Sequence, residues 1–516
     1  MKIFSTRKGY PVPKFAKSEK IDVLRIKGFK RVSSMKDWSK EVYYIVASVE
    51  VGNTTTKCIL TATNLNEGRT YVVNKKVRMT RDVRAPKPGE EIFGQTLDGT
   101  PLTRESVTEL VRDTLIGAHK EVGLDIKSDL NFVVRSTGVV ANFDSPDDVG
   151  VFILALADGC IAAGVPTRNM TPALSKDMLP ENIRKFSMLD KVYFDGAVGS
   201  VLPPFGSTGV EIVANEMEGE LATVGIKEGA KWAGVEYRNP CASLDFGTTL
   251  DGRITNDDIP YAKTIGNFCG LAGAIPDNLV KGAYDKMNIS TLDVIKDEST
   301  QDKKMSSFIK RKNSFYKVSK PYIEEINEII RIGKVPTNVK KYGLIPVNAE
   351  AAKKNGIVLI GCDVGDNGSR LNDLKKIGKK IVEDADKGVD TLYYVIDEVC
   401  STVAERLLRV AIDEELITSK TAIGFTGRAI ITGFKPFLIL EKINRFSLYK
   451  KPEDNVVFVD DGLARGAAMM ARCMNSLGNP KNPIGGVRGG RCILKERIKY
   501  QKKDRDGGII GESNYN

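Results

Sequence analysis

Regular alternation of apolar and polar residues begins only at Val42. Val42–Ala47 is β-branched and aromatic, and Lys57–Thr63 and Arg69–Arg78 continue with a period of two, so three antiparallel strands are expected there. Residues 86–100 are rich in Pro and Gly and are expected as loop. Thr103–Val122 has helical periodicity, with Leu102, Val107, Leu110, Val111 and Leu115 on one side; His119 is expected on its solvent surface. Asn131–Val134 reads as a short strand, ending at Arg135-Ser136-Thr137-Gly138, and Val149–Gly164 as a buried helix. Val192–Phe194 and Glu211–Ala214 read as strands flanking the loop Asp195–Ser207.

A second patterned unit opens at Cys241. Leu244–Phe246 is a strand, and Arg253–Ile254 starts its hairpin partner. Residues 296–320 form the most charged stretch of the body and are expected as a solvated helical arm or loop. Gly356–Ile360 is a buried strand leading into Cys362-Asp363-Val364-Gly365. Thr391–Leu416 is a long helix, and Ala422–Phe425 a strand ending in Thr426-Gly427-Arg428-Ala429. Val456–Val459 is the last strand, before a small-residue helix over Gly462–Asn475, in which Met469, Met470 and Met474 are expected as core filler.

At 516 residues the chain exceeds one ordinary core, and an α/β protein of two main units is expected. Hydrophobic residues make up 41% and charged residues 28%, and no apolar run approaches the ~20 residues of a membrane span. Met1–Lys40 is rich in Lys and Arg and lacks an apolar signal core, so the cytoplasm is the expected compartment. The net charge of +11 is confined to the ends: residues 1–40 carry +9 and residues 481–516 carry +5, leaving the body at −3. Nucleic acid is therefore not an expected partner, and the tails are read as solvated. The eight cysteines show no Cys-x-x-Cys spacing, and the single histidine excludes His-His metal sites. The cysteines are expected to be reduced and mostly buried.

One phrase occurs twice. Glu50-Val51-Gly52-Asn53-Thr54-Thr55-Thr56-Lys57 and Asp245-Phe246-Gly247-Thr248-Thr249 each follow a strand with an acid, a glycine and a cluster of hydroxyls. The glycine permits close backbone approach, hydroxyls and N–H groups bind oxyanions, and the carboxylate can hold a cation through water. Lys57 adds a point charge for a terminal phosphate. The first turn lacks the Gly-x-x-x-x-Gly-Lys spacing of a P-loop and reads as a phosphate-facing hairpin. A third element, Gly424-Phe425-Thr426-Gly427-Arg428, offers small residues against which a base and ribose could lie.

The order of these elements resembles the actin, sugar-kinase and heat-shock-chaperone ATPase superfamily over roughly residues 42 to 475. The first turn is most similar to those of ATP-dependent activators of iron–sulfur dehydratases and corrinoid proteins. The whole chain, with its basic leader and Arg135-Ser136-Thr137-Gly138-Val139, resembles the methanogenesis marker protein 14 family of methane-producing archaea. The resemblance implies two ribonuclease-H-like lobes with a nucleotide cleft between them: a basic leader over 1–40, a first lobe over 41–240, a second over 241–475 with a charged insertion near 281–345, and a basic tail over 476–516. It also implies ATP and Mg as cofactors. Gly52, Asn53, Thr54, Thr55, Thr56, Lys57, Gly247, Thr248, Thr249, Gly424, Thr426, Gly427 and Arg428 would contact nucleotide. Glu50 and Asp245 would act catalytically and position Mg through water.

Two departures stand out: Glu50 replaces the superfamily's usual aspartate, and Arg428 follows Gly427 where a second glycine is usual. The cysteine pattern of cluster-bearing activators is also missing, so an iron–sulfur cluster is not expected; one shared through Cys160 or Cys269 would require a homodimer. The implied role is an ATPase whose lobe closure activates or assembles a methanogenesis metalloenzyme, its protein partner. The alternatives are a nucleotide-dependent scaffold without turnover, and a small-molecule kinase with Asp363 or Asp195 as base.

Overall fold

The computed structural model describes residues 11–28, 43–65, 67–137, 146–170, 216–257, 264–283, 305–474, 477–479 and 482–484. The expected strands at 192–194 and 211–214, and Asp195, lie outside these residues. The strands that build the molecule are β1 (Lys14–Ala16), β2 (Tyr43–Val51), β3 (Thr55–Asn64), β4 (Arg69–Met79), β5 (Ile92–Gln95), β6 (Pro101–Thr103), β7 (Phe132–Thr137) and β8 (Cys241–Phe246). They continue with β9 (Leu250–Thr255), β10 (Thr264–Gly270), β11 (Ile330–Lys334), β12 (Lys341–Tyr342), β13 (Ile345–Pro346), β14 (Val358–Val364), β15 (Ala422–Thr426) and β16 (Val456–Val459).

Two mixed sheets dominate. The smaller has the order β4-β3-β2-β7, with β2, β3 and β4 an antiparallel meander and β7 parallel to β2. The larger has the order β1-β16-β15-β8-β9-β10-β14-β11. Its centre repeats the plan of the first: β8, β9 and β10 form an antiparallel meander, and β15 runs parallel to β8 on the far side. The central strands β8, β15 and β16 are buried at every position, as near-continuous apolar runs covered on both faces should be. One core packs Val49 and Leu60 against Val111 and Leu115 of the helix Arg104–Lys120 and Phe152 of the helix Pro146–Ala162. The other packs Phe246, Phe425 and Phe458 against the long helix Gly388–Asp413.

Two helices stand between the sheets, Glu216–Ala233 and Gly462–Met474, and their close approach depends on glycine. A Cβ on Gly225 would collide with the Gly462 carbonyl, and one on Gly466 with the Leu221 carbonyl. The helix Gly462–Met474 also reaches the smaller sheet, where Ala464 packs with Ile59 and Val72. Arg465 Nη1 and Glu228 Oε2 form a buried ion pair at 2.6 Å, and Glu228 Oε1 accepts from the Thr70 N–H of β4 at 3.3 Å.

The structure departs from the sequence pattern in four places. Residues 11–28 are not a loose leader. β1 adds to the edge of the larger sheet with Lys14 opposite Val457, and the next residues cross to the smaller sheet, where Ile21 N–H donates to Val72 O at 3.1 Å and Val72 N–H to Glu19 O at 2.8 Å. Three residues, Lys14-Phe15-Ala16, are too short to show a period, so this strand is specified by its partner. His119 is buried rather than on the helix surface, its Nδ1 2.8 Å from Leu115 O, and burial lowers its pKa. The loop 86–100 contains β5, which pairs with β6. The described part of the charged segment, residues 305–320, keeps the expected, largely exposed helix (Met305–Ile329) but is pinned rather than free: Phe308 stacks on Phe437 at 5.4 Å and Lys312 pairs with Glu441 at 2.6 Å, and the helix runs directly into β11.

Candidate functional site

The two Gly-Thr turns meet at the rim of one polar cleft lined from both sheets. In the first turn Gly52 N–H donates to Thr55 O at 3.0 Å, closing a tight connection between β2 and β3. The turn is braced from below: Thr80 Oγ1 donates to Gly52 O at 2.7 Å and lies 3.1 Å from Thr56 Oγ1. Asn53 Oδ1 accepts from the Leu97 N–H at 3.2 Å, which holds the loop after β5 against the turn. The second turn is tied to the helix Ala274–Ala283, because Gly273 N–H donates to Gly247 O at 2.9 Å and Ala274 N–H to Thr248 O at 3.0 Å. Thr54 Oγ1 and Thr248 Oγ1 are 2.7 Å apart, and Thr54 Oγ1 donates to Asp277 Oδ2 at 2.9 Å.

The third element closes one end. Thr426 Oγ1 donates to Val459 O at 2.8 Å and accepts from Gly462 N–H at 3.1 Å, joining β15, β16 and the following helix. Gly427 has φ +89°, and a Cβ there would strike Asp245 Oδ1 and the Phe246 carbonyl, so only glycine fits. Arg428 lines the cleft beside it.

Of the residues expected at the site, Glu50, Gly52, Asn53, Thr54, Thr55 and Lys57 line the cleft, as do Asp245, Gly247, Thr248 and Thr249, and also Thr426, Gly427 and Arg428. Two do not. Thr56 is fully buried beneath the first turn, because alternation along a strand sends neighbours to opposite faces; Gly424 shares the face of Thr426 but lies further down β15, where Ile226 and Tyr237 cover it. Asp363, the candidate base of a kinase, is spent on its own loop: Oδ1 accepts from Val364 and Gly368 N–H, and Oδ2 from Asn367 N–H. Cys160 and Cys269 are both buried, and burial pushes the Cys269 thiol up to about 12.

Sequence reasoning missed Glu218, Asp251, Lys75, Asp460 and Asp461, all of which line the cleft. Asp251 had a detectable sign. In the first hairpin the acid Glu50 faces Lys57 in register, with Nζ 3.0 Å from Oε1. In the second, Asp245 faces Asp251, so the cation of one copy is replaced by a second acid. Glu218, near the start of the helix Glu216–Ala233, is brought to them because Gly219 packs on Gly252 of β9.

Glu50, Glu218, Asp245 and Asp251 thus share one cleft floor with Lys57. Burial, then Glu50, raise the Asp245 pKa to about 7, against the pull of Lys57. Burial, then the neighbouring acids, push Glu218 and Asp251 well above the usual carboxylate range. Burial alone would lower Lys57, but the Glu50 carboxylate outweighs it and its pKa is raised. At the other side burial works to raise Asp461, yet its ion pair with Lys75 holds it low, whereas burial and Asp461 raise Asp460. Among the described residues no three acid, cysteine or histidine side chains are placed to cage a metal ion by themselves. Among the same residues no helix is long and apolar enough to cross a membrane.

The fold and the site define a mixed α/β protein with a polar cleft between a large mixed sheet and a smaller one. The chain belongs to the family described as "Uncharacterized protein conserved in archaea (DUF2114)", whose model matches residues 43–501. It is 52% identical over 491 residues to an uncharacterized protein of Methanocaldococcus jannaschii, covering 95% of each chain. It is also 52% identical over 511 residues to an uncharacterized protein of Methanothermobacter thermautotrophicus, covering 98% of this chain and 92% of the other. The solved PPX-GPPA enzyme of Aquifex aeolicus matches 43% of this chain and 52% of its own at 10% identity, with a TM-score of 0.23.

Proposed function

We propose that this protein binds ATP with magnesium between two ribonuclease-H-like lobes and couples nucleotide-dependent closure to a protein partner. The observation that carries the reading is the meeting of the two Gly-Thr turns, 2.7 Å apart at Thr54 and Thr248. Each follows an acid near the end of the first strand of an antiparallel meander that has a parallel strand on its other side. Hydroxyls and N–H groups converging from both sides suit a polyphosphate. Gly427 and Arg428 line the same cleft beside Asp245, where a nucleoside would lie.

The residues fit magnesium held with its water shell. Magnesium keeps several waters and takes one or two carboxylates plus phosphate oxygens rather than a protein cage. Glu50 and Asp245 would hold such a hydrated ion, which when bound neutralises phosphate charge. Asp245, with its raised pKa, is suited to accept a proton near neutrality. Thr54, Thr55, Thr248 and Thr249 orient the phosphates, while Arg428 flanks the nucleoside end.

The partner is proposed to be a metalloenzyme of methanogenesis, in keeping with the resemblance to marker protein 14 and with relatives in two methanogens. The Glu50–Lys57 ion pair favours a second reading, because it engages the acid that would otherwise serve the metal. In that reading the protein binds nucleotide and assembles with its partner without turnover. Calorimetric titration with ATP and magnesium tests both readings, and phosphate release on the same sample separates them. No heat of binding would overturn both.

A further inference from the structure

The helix Met305–Ile329 turns Phe308, Ser319, Ile326 and Ile329 into the protein and leaves its opposite side to solvent. That outer side is patterned. Ile309, Tyr316 and Ile323 recur every seven residues, which sets them in one row along a helix. Ile309 is 36% and Tyr316 49% exposed, and Ile323 is half-buried. Beside that row runs a charged one, Lys310, Lys317 and Glu324, again seven apart, which Glu328 extends by a further turn; all four are exposed. The charges are sorted along the helix, cations in its first half and acids in its second.

This order does not serve the helix itself. Acids are favoured near a helix N-terminus and cations near its C-terminus. Here the first turn has no acid, the last has no base, and Glu328 stands in the last turn. Lys320 and Glu324 pair at 3.6 Å, but the lysine lies on the N-terminal side, the weaker orientation, and both side chains are exposed. A row positive at one end and negative at the other is complementary to its own reversed copy. We propose that this face joins a second copy of the chain, helix against antiparallel helix, about a two-fold axis passing near Ser319 and Lys320. With the axis there, Tyr316 meets the partner's Ile323, Lys317 the partner's Glu324 and Lys310 the partner's Glu328, and every contact is made twice. Lys320 lies beside the axis, where Glu324 of its own helix offsets its charge. None of these residues lines the cleft, so the pairing does not depend on the nucleotide reading. One helix pair is a small interface, so the dimer is expected to form and dissociate with concentration.

The test is sedimentation velocity on the full chain without nucleotide, at roughly 1–100 μM. Wild type should pass from monomer to dimer over that range, and added salt should weaken the dimer. Lys310→Glu with Lys317→Glu turns the basic half of the row acidic, and Glu324→Lys with Glu328→Lys turns the acidic half basic. Like charges then face each other, so each double variant alone should associate at least roughly tenfold more weakly. Mixed in equal amounts, the two variants should form a dimer again, which misfolded chains could not do. Wild type that stays monomeric throughout the range would overturn the proposal. A dimer formed as readily by both variants would overturn it too, since the interface would then lie elsewhere. So would a mixture of the two variants that remains monomeric.

Discussion

Thr54 and Thr248 stand 194 residues apart in the chain, and their hydroxyl oxygens are 2.7 Å apart across the cleft. Thr54 passes the contact on to Asp277 at 2.9 Å, so the first turn is bonded both to the second turn and to the helix behind it. Replacing either threonine by valine keeps the shape and removes the hydroxyl. A hydrogen bond to a charged phosphate contributes about 1.5–3 kcal/mol. Each single variant should therefore bind Mg-ATP roughly tenfold or more weakly by calorimetry. The double variant should lose less than the sum, because the two hydroxyls share one network. Full additivity would show that they act independently.

Gly427→Ala tests the close approach at the nucleoside end. A methyl group there meets Asp245 Oδ1 and the Phe246 carbonyl, at a φ of +89° that L-residues rarely adopt. Strain of this kind costs about 1–3 kcal/mol. The variant should unfold at lower denaturant with an unchanged slope, and should bind nucleotide more weakly than its stability loss alone requires.

Asp245 makes a pH prediction with a definite sign. Its pKa is raised from 3.8 to about 7 in the folded protein, chiefly by burial and then by Glu50. The folded state holds the proton more tightly than the unfolded chain. Its contribution is therefore whole below about pH 4 and is lost as pH rises toward 7. Asp245→Asn removes the group that must ionise. The stability of this variant relative to ligand-free wild type should grow between pH 4 and 7, by up to about 4 kcal/mol, and level off above. A difference that shrinks over that range would contradict the assignment.

Arg465 and Glu228 are a buried pair, 4% and 3% exposed at the side chain, between the two central helices. Arg465 Nη2 also donates to Lys17 O at 2.6 Å. Truncating one partner leaves the other charge buried and costs about 3–5 kcal/mol. Glu228→Gln should show that loss in chemical denaturation. Arg465→Met paired with Glu228→Met should recover part of it.

The hairpins were readable because each satisfies a local rule: Val42–Ala47 and Leu244–Phe246 have strand composition, and a glycine follows the acid. The paired helices were half readable, since the small residues of Gly462–Asn475 are visible but their contact with Gly225 is not. Glu218 was hidden for a different reason. In Glu216-Met217-Glu218-Gly219-Glu220 every acid looks like the solvated start of a helix, and only the packing of Gly219 on Gly252 shows that Glu218 and Glu220 turn inward. Thr56 was misplaced because sequence gives the strand but not which face meets the cavity, and Gly424 because it does not give how far along the strand the cavity reaches. His119 looked exposed beside Lys120, whereas its ring folds back onto the Leu115 carbonyl.

β1 lies beside β16, with Lys14 opposite Val457, so one edge of the larger sheet is made from nearly the first and nearly the last strand of the chain. On the ribosome the opening residues emerge long before their partner exists. At roughly 5–20 residues per second, most of a minute can pass before Val456–Val459 is synthesised. Throughout that wait the larger sheet lacks its final edge, and Glu19 and Ile21 can hold β4 but nothing beyond it. β1 can take its place only once β16 has been made, so this edge of the sheet joins segments that are among the most widely separated in synthesis of all those described.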